Sequence, residues 1–546
     1  IVKLLTVLWP DGKIQVLKNI NVNQTLNINY RDAKIQKFQN YNHQKLFKDI
    51  TKSSNIRYHH EENEFNDFKY ESLLPHKMSN FGPAIAIGDI DGDGLDDFYV
   101  GGAKGYPGAL FLQKSDATFF KSEKNIWNLD KNSEDIGAVF FDANADGYLD
   151  LYIVSGGSKF EVTQFELQDR LYLNDGKGHF FKTLNSLPQM TSSGSVVRPY
   201  DFDDDGDLDL FVAGRLDPGN YPFPATSTLL RNDSSKDKVL FTNVTNKLAP
   251  EFNKLGLITD AVWTDVTGDN LKDLVVVGEW TPVMMFKNNK NSFKNITSTS
   301  LLSQNTGWWY SITSADMDND GDMDLIAGNL GLNYKYKATP ENPFEIYAKD
   351  FDKNKTPDIV LSYSDQGNKY PLRGRECSSN QMPFIKEKFP TYSDFGSATL
   401  TDVYLKEDLE TALHYKASNF ASSYIENLGD GTFKVKSLPN HAQLSSVNRT
   451  LIDDYNGDGI KDIVIIGNMY GSEIETPRND ASIGMLLLGN GQGEFKPVPS
   501  YESGLYIKGD SKDAHFIYLG EERKKAIIVV KNNDKIQIIT IEDEKS

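Results

Sequence analysis

The stretch Asp89-Ile90-Asp91-Gly92-Asp93-Gly94-Leu95-Asp96-Asp97 runs directly into the apolar residues Phe98-Tyr99-Val100. Its carboxylates include those at positions 1, 3, 5 and 9 of a tight loop, counted from Asp89. Calcium suits such a loop because it accepts about six to eight oxygen ligands in loose geometry. Gly94 at position 6 permits the positive φ angle that wraps a loop around an ion. The stretch therefore predicts a calcium-binding turn that leads into a β-strand.

The same acidic pattern occurs seven times along the chain. A solvated turn without metal explains one copy, but seven copies in register favour metal binding, and we expect about five to seven calcium ions. Several carboxylates around a fully ligated ion leave no open position for a substrate, so the expected role is structural. The candidate ligands at positions 1, 3, 5, 7 and 9 are Asp89, Asp91, Asp93, Leu95, Asp97; Asp142, Asn144, Asp146, Tyr148, Asp150; Asp201, Asp203, Asp205, Asp207, Asp209; Asp265, Thr267, Asp269, Leu271, Asp273; Asp316, Asp318, Asp320, Asp322, Asp324; Asp350, Asp352, Asn354, Thr356, Asp358; Asp454, Asn456, Asp458, Ile460, Asp462.

Each acidic loop belongs to a repeated unit of four strand-like segments. An apolar run ending in Asp precedes the loop, a second run leaves it, a third ends in an Asn/Gly turn, and a fourth begins with Phe. The runs 84–89, 97–102 and 171–176 and the residue Phe180 illustrate these four parts. Four short antiparallel strands per repeat are typical of a propeller blade. The sequence thus predicts an all-β fold, a seven- or eight-bladed β-propeller.

Two features leave the blade count open. The last strand pair, His515 to Val530, has Gly520-Glu-Glu-Arg instead of an acidic loop, and residues 46–51 are expected to close this blade beside residues 514–541. One blade for each of the seven loops, together with this last blade, gives eight blades, which is the favoured count. The loops at Asp316 and Asp350 stand only 34 residues apart, and sharing one blade would give seven.

The remaining segments predict three further parts. Residues 1–35 alternate apolar and polar, which predicts a hairpin around Pro10-Asp11-Gly12 and a second strand pair from Ile20 to Ile28. Residues 36–80 are expected to be a linker that contains the closing strand, and residues 81–541 the propeller. Within it, residues 366–425 are expected to form a partly helical insertion. Its predicted amphipathic helix carries Phe395, Leu400, Val403, Tyr404, Leu409 and Leu413.

Composition narrows the function classes. The chain has 546 residues and a net charge of -19, which disfavours nucleic-acid binding. Its one cysteine, Cys377, excludes an intrachain disulfide and is expected to be an inert thiol. Weak calcium sites fill only outside the cytoplasm, which favours an exported protein. The chain starts inside a strand at Ile1, so we expect it to continue a longer protein whose targeting signal or anchor precedes it.

Other residue groups have ordinary structural explanations. We expect Gly307-Trp308-Trp309-Tyr310 to pack between blades rather than stack on sugars, and Tyr221-Pro222-Phe223 to be a better surface candidate. The run His59-His60-Glu61-Glu62 is expected to be a polar surface segment rather than a zinc site. Five arginines are expected to pair with the surplus acids, or else to line the central channel or an anionic ligand site: Arg198, Arg373, Arg375, Arg449 and Arg478.

Several motifs resemble a known family. Phe81-Gly82-Pro83 followed by an acidic loop resembles the FG-GAP repeat of integrin α propellers. The match is closer to bacterial VCBS/FG-GAP-like proteins, typical of Bacteroidetes and related to cartilage acidic protein. Residues 1–35 resemble the end of an ASPIC/UnbV module. The further stretches that resemble this group are 9–12, 328–333, 467–468 and 504–509.

Two loops depart from the family pattern. The fourth has Thr267 at position 3 and Asn270 at position 6, and the sixth has Asn354 and Lys355 at positions 5 and 6. We expect these two loops to bind calcium more weakly.

The resemblance implies an exported, surface-attached repeat protein, often a lipoprotein near outer-membrane uptake systems. We therefore expect a non-enzymatic, calcium-stabilised binding or scaffold protein on the outer face of the outer membrane. Its expected partner is an uptake complex for glycans or peptides, or a surface glycan. One alternative is a propeller-type polysaccharide lyase or hydrolase, which needs a convergent cluster of His, Tyr, Arg or carboxylates at the channel mouth. Another is an integrin-like adhesion module, which the absence of cysteine pairs disfavours.

Overall fold

A computed structural model describes residues 1–9, 13–34, 45–124, 126–159, 165–190, 192–235 and 238–542. The chain divides into two compact units, Ile1–Lys45 and Leu46–Ser546.

The first unit is built on one antiparallel hairpin. Strand β1 (Val2–Leu8) pairs with β2 (Ile14–Ile20), which confirms the predicted hairpin, while its turn lies outside the described residues. The second strand pair predicted from Ile20 to Ile28 is wrong, because residues 21–28 form no strand. Val22 is 58% exposed, so no apolar face is available to hold such a pair. Instead, Ile14 and Lys34 exchange two backbone hydrogen bonds of 2.9 Å.

The second unit opens with the short strand β3 (Phe47–Asp49) and continues as a series of four-stranded antiparallel sheets. Each of the first four sheets is made of consecutive strands, as the four-part repeat predicts. Their strands are β4 (Ile85–Gly88), β5 (Asp97–Val100), β6 (Ala109–Gln113) and β7 (Phe119–Lys121); β8 (Asp135–Phe141), β9 (Asp150–Ser155), β10 (Arg170–Asn174) and β11 (Phe180–Lys182); β12 (Ser193–Tyr200), β13 (Asp209–Leu216), β14 (Thr228–Asn232) and β15 (Phe241–Asn243); β16 (Leu257–Thr264), β17 (Asp273–Thr281), β18 (Met284–Asn288) and β19 (Phe293–Asn295), with β20 (Gly307–Trp308) paired to β17.

The next sheet is interrupted by another one. Strand β21 (Ser311–Ala315) pairs with β22 (Asp324–Gly328), and β22 pairs with a strand that lies almost a hundred residues further on. Between them stands a separate sheet of β23 (Phe344–Lys349), β24 (Asp358–Asp365), β25 (Asn368–Pro371) and β26 (Leu413–Ala417). The interrupted sheet is completed by β27 (Ser423–Asn427) and β28 (Phe433–Ser437).

Two more sheets follow. The sixth consists of β29 (Arg449–Asp453), β30 (Asp462–Ile466), β31 (Met485–Gly489) and β32 (Phe495–Val498). The last consists of β33 (Asp510–Leu519), β34 (Lys524–Asn532) and β35 (Gln537–Ile541), and β3 supplies its fourth strand. Phe47 stands opposite Ile541 and Asp49 opposite Ile539. The predicted closing strand is therefore confirmed.

The first strands of seven sheets contact one another in a closed cycle: β4, β8, β12, β16, β21, β29 and β33. A separate apolar core fills each interface between neighbouring sheets, and Ile85 and Phe98 of the first share theirs with Ile517 and Ile528 of the last. The all-β propeller is thus observed with seven blades in the ring, the lower of the two counts that the sequence left open. The eighth four-stranded sheet is an insertion in blade five.

The insertion spans residues 329–422, whereas the sequence predicted residues 366–425. The predicted start is too late because β23, its acidic loop and β24 resemble the first half of a blade in sequence, so the prediction counts them as part of the propeller. The insertion ends earlier because residues 423–425 already belong to β27, inside blade five.

The single amphipathic helix predicted in this insertion is wrong as well. Three short helices replace it, and Leu413 begins β26. Thr391 and Thr399 each cap the start of a new helix, which breaks the run. The apolar residues expected on that helix are nevertheless buried, except Leu413, which is half-buried.

The helices of the chain are short and lie in the connections between strands. The α-helices are α1 (Asp67–Tyr70), α2 (Thr245–Leu248), α3 (Arg375–Gln381), α4 (Phe384–Lys388), α5 (Tyr392–Gly396), α6 (Leu400–Val403), α7 (Lys406–Thr411) and α8 (Ser500–Ser503). Single 3₁₀ turns cover Tyr30–Asp32, Ile126–Asp130, Phe165–Leu167, Pro250–Lys254 and Asn440–Gln443.

We expect Phe47→Ala to lower the free energy of unfolding by about 3–5 kcal/mol, because it empties a buried aromatic site in the closing strand. Phe47 is 2% exposed and packs against the ring of Tyr455 at 5.4 Å between centroids. Denaturant unfolding followed by tryptophan fluorescence measures the change. The exposed neighbour Lys48→Ala is the control, and equal stability of the two variants would contradict closure through β3.

Candidate functional site

Six of the acidic loops join the first and second strands of ring blades one to six, and the remaining one, loop six in chain order, joins β23 to β24 in the insertion. All seven share one hydrogen bond, in which the aspartate at position 1 accepts from the backbone N–H at position 6 over 2.7 to 3.1 Å. This bond closes the turn and directs the side chains at positions 1 and 3 inward. The repeated sequence pattern therefore produces one repeated loop geometry.

The aspartate at position 9 forms hydrogen bonds on both sides. One of its oxygens accepts from the backbone N–H at position 2 of its own loop, over 2.8 to 3.3 Å. In the six ring blades its other oxygen accepts from a backbone N–H in the third strand, over 2.8 to 2.9 Å. This carboxylate therefore links the loop to the body of its blade, a role that the sequence did not reveal.

Carboxylate oxygens converge in four of the loops. Three aspartates of each lie with oxygen atoms within 4.8 Å of one another, at positions 1, 3 and 9 of loops one, three and six and at positions 1, 3 and 5 of loop five. In loops two, four and seven, position 3 carries Asn144, Thr267 or Asn456, which offers a neutral oxygen. Three carboxylates thus converge in loops one, three, five and six, and the other three loops carry a neutral oxygen at position 3.

Several of these oxygens fit a cation because they lack a donor. Asp203 Oδ1, Asp207 Oδ1 and Asp318 Oδ1 are buried and have no hydrogen-bond partner among the described residues. A buried acceptor without a donor is unfavourable, and neighbouring carboxylates cannot supply one. A hard cation satisfies such oxygens, so the donor set fits calcium.

The two loops expected to be weaker keep the same backbone. Asn270 and Lys355 take the place of glycine at position 6, and both adopt the left-handed conformation, with φ of 67° and 73°. Loop six also brings Asp350, Asp352 and Asp358 together. Their weaker affinity for calcium stays a prediction.

Burial and mutual repulsion change the acidity of these carboxyls. Burial raises the pKa of Asp97 to about 8, and the Asp91 charge adds to the shift while two backbone N–H groups oppose it. Burial likewise raises the pKa of Asp150, Asp209 and Asp358 to about 7. Without a cation these groups therefore hold protons near neutral pH.

A second polar region lies at the opposite end of the first strands, where they begin. A cavity of about 130 Å³ opens there at the mouth of the central channel. Every blade of the ring contributes to its lining, with Pro83, Ile136, Val196, Asp260, Tyr310, Arg449 and Asp513. The channel mouth and the six ring loops therefore occupy opposite ends of the propeller.

A buried ion cluster flanks this channel mouth. Glu279 Oε1 lies 2.6 Å from Arg215 Nη2 and 2.7 Å from His76 Nε2, and Glu279 Oε2 accepts from Tyr221 Oη at 3.2 Å. Burial alone would raise the pKa of Glu279, but Arg215 and His76 lower it to about 2. Sequence reasoning missed this cluster; its one visible signal is Glu279, a charge inside the apolar run of β17.

Four of the five arginines pair with acidic side chains, as the sequence favoured, whereas Arg375 donates to a backbone carbonyl instead. Arg198 binds Asp260, and Arg449 Nε lies 2.6 Å from Asp513 Oδ1. Arg449 also lines the channel mouth, the alternative that the sequence left open. The other three pair away from it: Arg373 with Glu473, Arg375 with the Phe389 carbonyl, and Arg478 with Asp480.

The remaining candidates divide into confirmed and corrected predictions. Trp308 and Trp309 are fully buried, which confirms packing rather than sugar stacking. Tyr221 is also buried, so its assignment to the surface is wrong; its hydroxyl accepts a hydrogen bond from Trp280 Nε1. His60 is buried against blade seven, where its backbone N–H donates to the Asp534 carbonyl, and is not on a polar surface.

Cys377 is half-buried beside Glu475, with Sγ 3.4 Å from the carboxylate. Burial raises the pKa of this thiol, and the Glu475 carboxylate raises it further, which supports the expected inert role. No helix among the described residues has the length and apolar character needed to cross a membrane.

We expect Asp203→Ala to remove one calcium ion per molecule, since this variant deletes a buried oxygen that lacks a donor. Asp203→Asn should keep the ion at lower affinity, because Asn already stands at position 3 of loops two and seven. Calcium titration calorimetry of protein stripped of metal measures the stoichiometry. Glu521→Gln is the matched control, in the exposed turn of blade seven that replaces the acidic loop, and should change nothing. Equal stoichiometry in Asp203→Ala and the control would contradict the loop assignment.

We expect chelated protein to lose stability as the pH rises from about 4 to about 8. The folded pKa of Asp97 lies above its ordinary value of 3.8, so its stabilising contribution is present below that value and is lost through about 8. Excess calcium should reverse the trend, because the ion replaces the protons. Melting temperatures with and without calcium at each pH measure this, and their difference removes the effect of other groups. A difference that shrinks with rising pH would contradict the prediction.

Family models match two parts of the chain. A model for an FG-GAP-like repeat matches residues 66–153 and 265–327, and a model named ASPIC and UnbV matches residues 1–35. No curated protein sequence matches the chain.

Solved structures that match the chain include three that are covered over almost their full length. The biofilm matrix protein Bap1 of V. cholerae shares 10% identity at a TM-score of 0.34, covering 92% of each chain. The structure of YCF48 bound to D1 peptide shares 7% sequence identity at a TM-score of 0.39, and the match covers 88% of this chain and 99% of that chain. The Dos1 propeller shares 11% sequence identity at a TM-score of 0.37, and the match covers 88% of this chain and 98% of that chain. These likenesses transfer no function. The family models do identify the modules: the chain carries FG-GAP-like repeats in its propeller and an ASPIC and UnbV segment at residues 1–35.

Proposed function

We propose that this protein is a non-enzymatic, calcium-stabilised binding or scaffold protein that acts outside the cytoplasm. We infer further that it serves an outer-membrane complex for the uptake of glycans or peptides. The observation that carries the proposal is the seven-fold repetition of one loop hydrogen bond, together with buried carboxylate oxygens that lack donors in loops three and five. Seven such loops require a calcium concentration that the cytoplasm does not supply, if their affinity lies in the range of extracellular modules.

Calcium in these loops would stabilise the ring rather than react with a ligand. Each site contributes about 2.7 kcal/mol when calcium exceeds its dissociation constant a hundredfold. Because the position-9 aspartate also binds the third strand, this stabilisation reaches the body of the blade. Calcium would thereby rigidify the end of the ring that carries the loops. We assign partner binding to the opposite end.

The other end has the features of a contact surface. The connections between second and third strands lie there, and they include the insertion of blade five. Large apolar side chains are exposed on these connections, among them Phe165, Tyr392, Leu405 and Ile474. Exposed apolar groups gathered on one surface are typical of protein contact sites. A protein partner of the uptake machinery therefore fits this end better than a free glycan does.

An enzyme is the second candidate, because His76, Arg215, Glu279 and Tyr310 do converge at the channel mouth. Their pairing favours binding instead. Both ring nitrogens of His76 are held by acceptors, and burial raises the pKa of Tyr310 well above its ordinary range. Neither group is placed to take a proton from a substrate.

We expect tagged protein to capture a defined partner from native membranes in calcium and to lose it in chelator. A double variant, Tyr392→Ser with Leu405→Ser, should reduce capture about tenfold or more, because it removes apolar contact area. Phe181→Ser is the matched control, since Phe181 is exposed on the fourth strand of blade two, away from this surface.

Quantitative mass spectrometry of the captured proteins measures the result. Polysaccharides are incubated with the same preparations and followed for chain shortening. Cleavage of a glycan without any captured partner would contradict the proposal and favour the lyase or hydrolase.

A further inference from the structure

The cavity at the channel mouth has the size of a small-molecule site. Its volume of about 130 Å³ is close to that of engineered protein cavities of about 150 Å³ that bind benzene. A ligand of about six non-hydrogen atoms fits such a space. Apolar side chains form part of the wall, namely Phe81, Ile136, Val196 and Met469.

A buried polar cluster lies beside the cavity. His76 Nδ1 faces the Lys77 carbonyl at 2.9 Å and His76 Nε2 faces Glu279 at 2.7 Å. Arg215 binds the same carboxylate, with Nη2 2.6 Å from Glu279 Oε1. Both partners of His76 are acceptors, so the ring is fully engaged within the cluster.

Arg215 also has an unused donor. It is 2% exposed and lines the cavity, and its Nη1 has no hydrogen-bond partner among the described residues. The guanidinium lies over the ring of Phe81, with its carbon 4.6 Å from the ring centroid, which holds its plane in position. A buried guanidinium N–H without an acceptor is unfavourable, and an anion in the cavity would satisfy it.

The aspartates of the lining are already paired. Asp260 and Asp513 are both bound by Arg449, and Asp260 also binds Arg198. Lys77 and Lys512 also line the cavity, and Lys512 lies 3.0 Å from Asp510. The lining therefore holds four lysine and arginine side chains against two aspartates, which makes the channel mouth basic in a protein whose net charge is -19.

We propose that this cavity binds a small organic carboxylate, with the carboxylate on Arg215 Nη1 and the carbon skeleton against Phe81, Ile136, Val196 and Met469. A carboxylate oxygen matches the free donor at Arg215 Nη1 in this basic lining. The apolar wall suits a carbon skeleton and disfavours a strongly hydrated phosphate. This inference deepens the proposed binding role by naming the ligand chemistry, and it concerns the channel mouth rather than the exposed apolar surface.

The test is a calorimetric titration of the whole protein with butanoate in saturating calcium. Butyramide, which has a similar shape without charge, and inorganic phosphate are titrated in parallel. We expect butanoate to bind at least about tenfold more tightly than either. Arg215→Met should weaken butanoate binding about tenfold or more, because it removes the cation and its free donor.

Two further variants keep the test decisive. Val196→Phe fills the cavity without touching the ion cluster and should also abolish butanoate binding, even where Arg215→Met fails to fold. Arg231→Met is the matched control, since Arg231 pairs with Asp233 on the partly exposed third strand of blade three, and should leave binding unchanged.

Absence of butanoate binding, equal binding of butyramide, or tighter binding of phosphate would each overturn the inference. The titration needs only protein and small molecules, so its failure would leave the calcium and partner-capture results standing.

Discussion

The buried aspartate at the start of each second strand is the interaction on which the ring depends. In six ring blades its two oxygens accept from the acidic loop on one side and from the third strand on the other. Burial raises its pKa to between about 6 and about 8, so the fold holds a carboxylate where a bare charge is unfavourable. A cation in the loop would offset that charge. The same side chain would therefore couple metal binding to blade geometry in each of these repeats.

The two ends of the propeller have different chemistry because strand direction alternates. Every first strand runs from the channel mouth toward its turn at the other end, so the acidic turns of six blades gather there. The connections between second and third strands gather at the mouth, with the insertion of blade five among them. One repeated antiparallel unit thus produces a carboxylate-rich end and an end with cations, aromatic rings and exposed apolar side chains.

The local parts of this structure could be predicted from sequence, and the long-range parts could not. The loops, the strands beside them and the closing strand Phe47–Asp49 follow from patterns within a single repeat. The blade count was left open because β23 and β24 flank an acidic loop like the first two strands of a blade, and only pairing across the insertion distinguishes them. The cluster of His76, Arg215 and Glu279 joins residues up to 203 positions apart, and no local pattern indicates such a contact.

Contacts between residues far apart in sequence also explain the wrong predictions of side-chain exposure. Tyr221 and His60 lie in polar stretches, which made the surface the natural expectation. Both are covered by groups from remote strands: Glu279 and Trp280 meet Tyr221, and Asn533 and Asp534 meet His60. Their burial depends on the order of the blades in the closed ring. A prediction of exposure therefore requires the tertiary topology first.

Joining β3 to β35 has a consequence for the order in which the protein is made. Phe47 is synthesised almost five hundred residues before its strand partner Ile541. Six blades are therefore synthesised before the strands of the seventh, and β3 has no strand partner until β35 has been made. A partly synthesised chain is an open ring with one uncovered sheet face at each end, and the ring closes only when β35 pairs with β3.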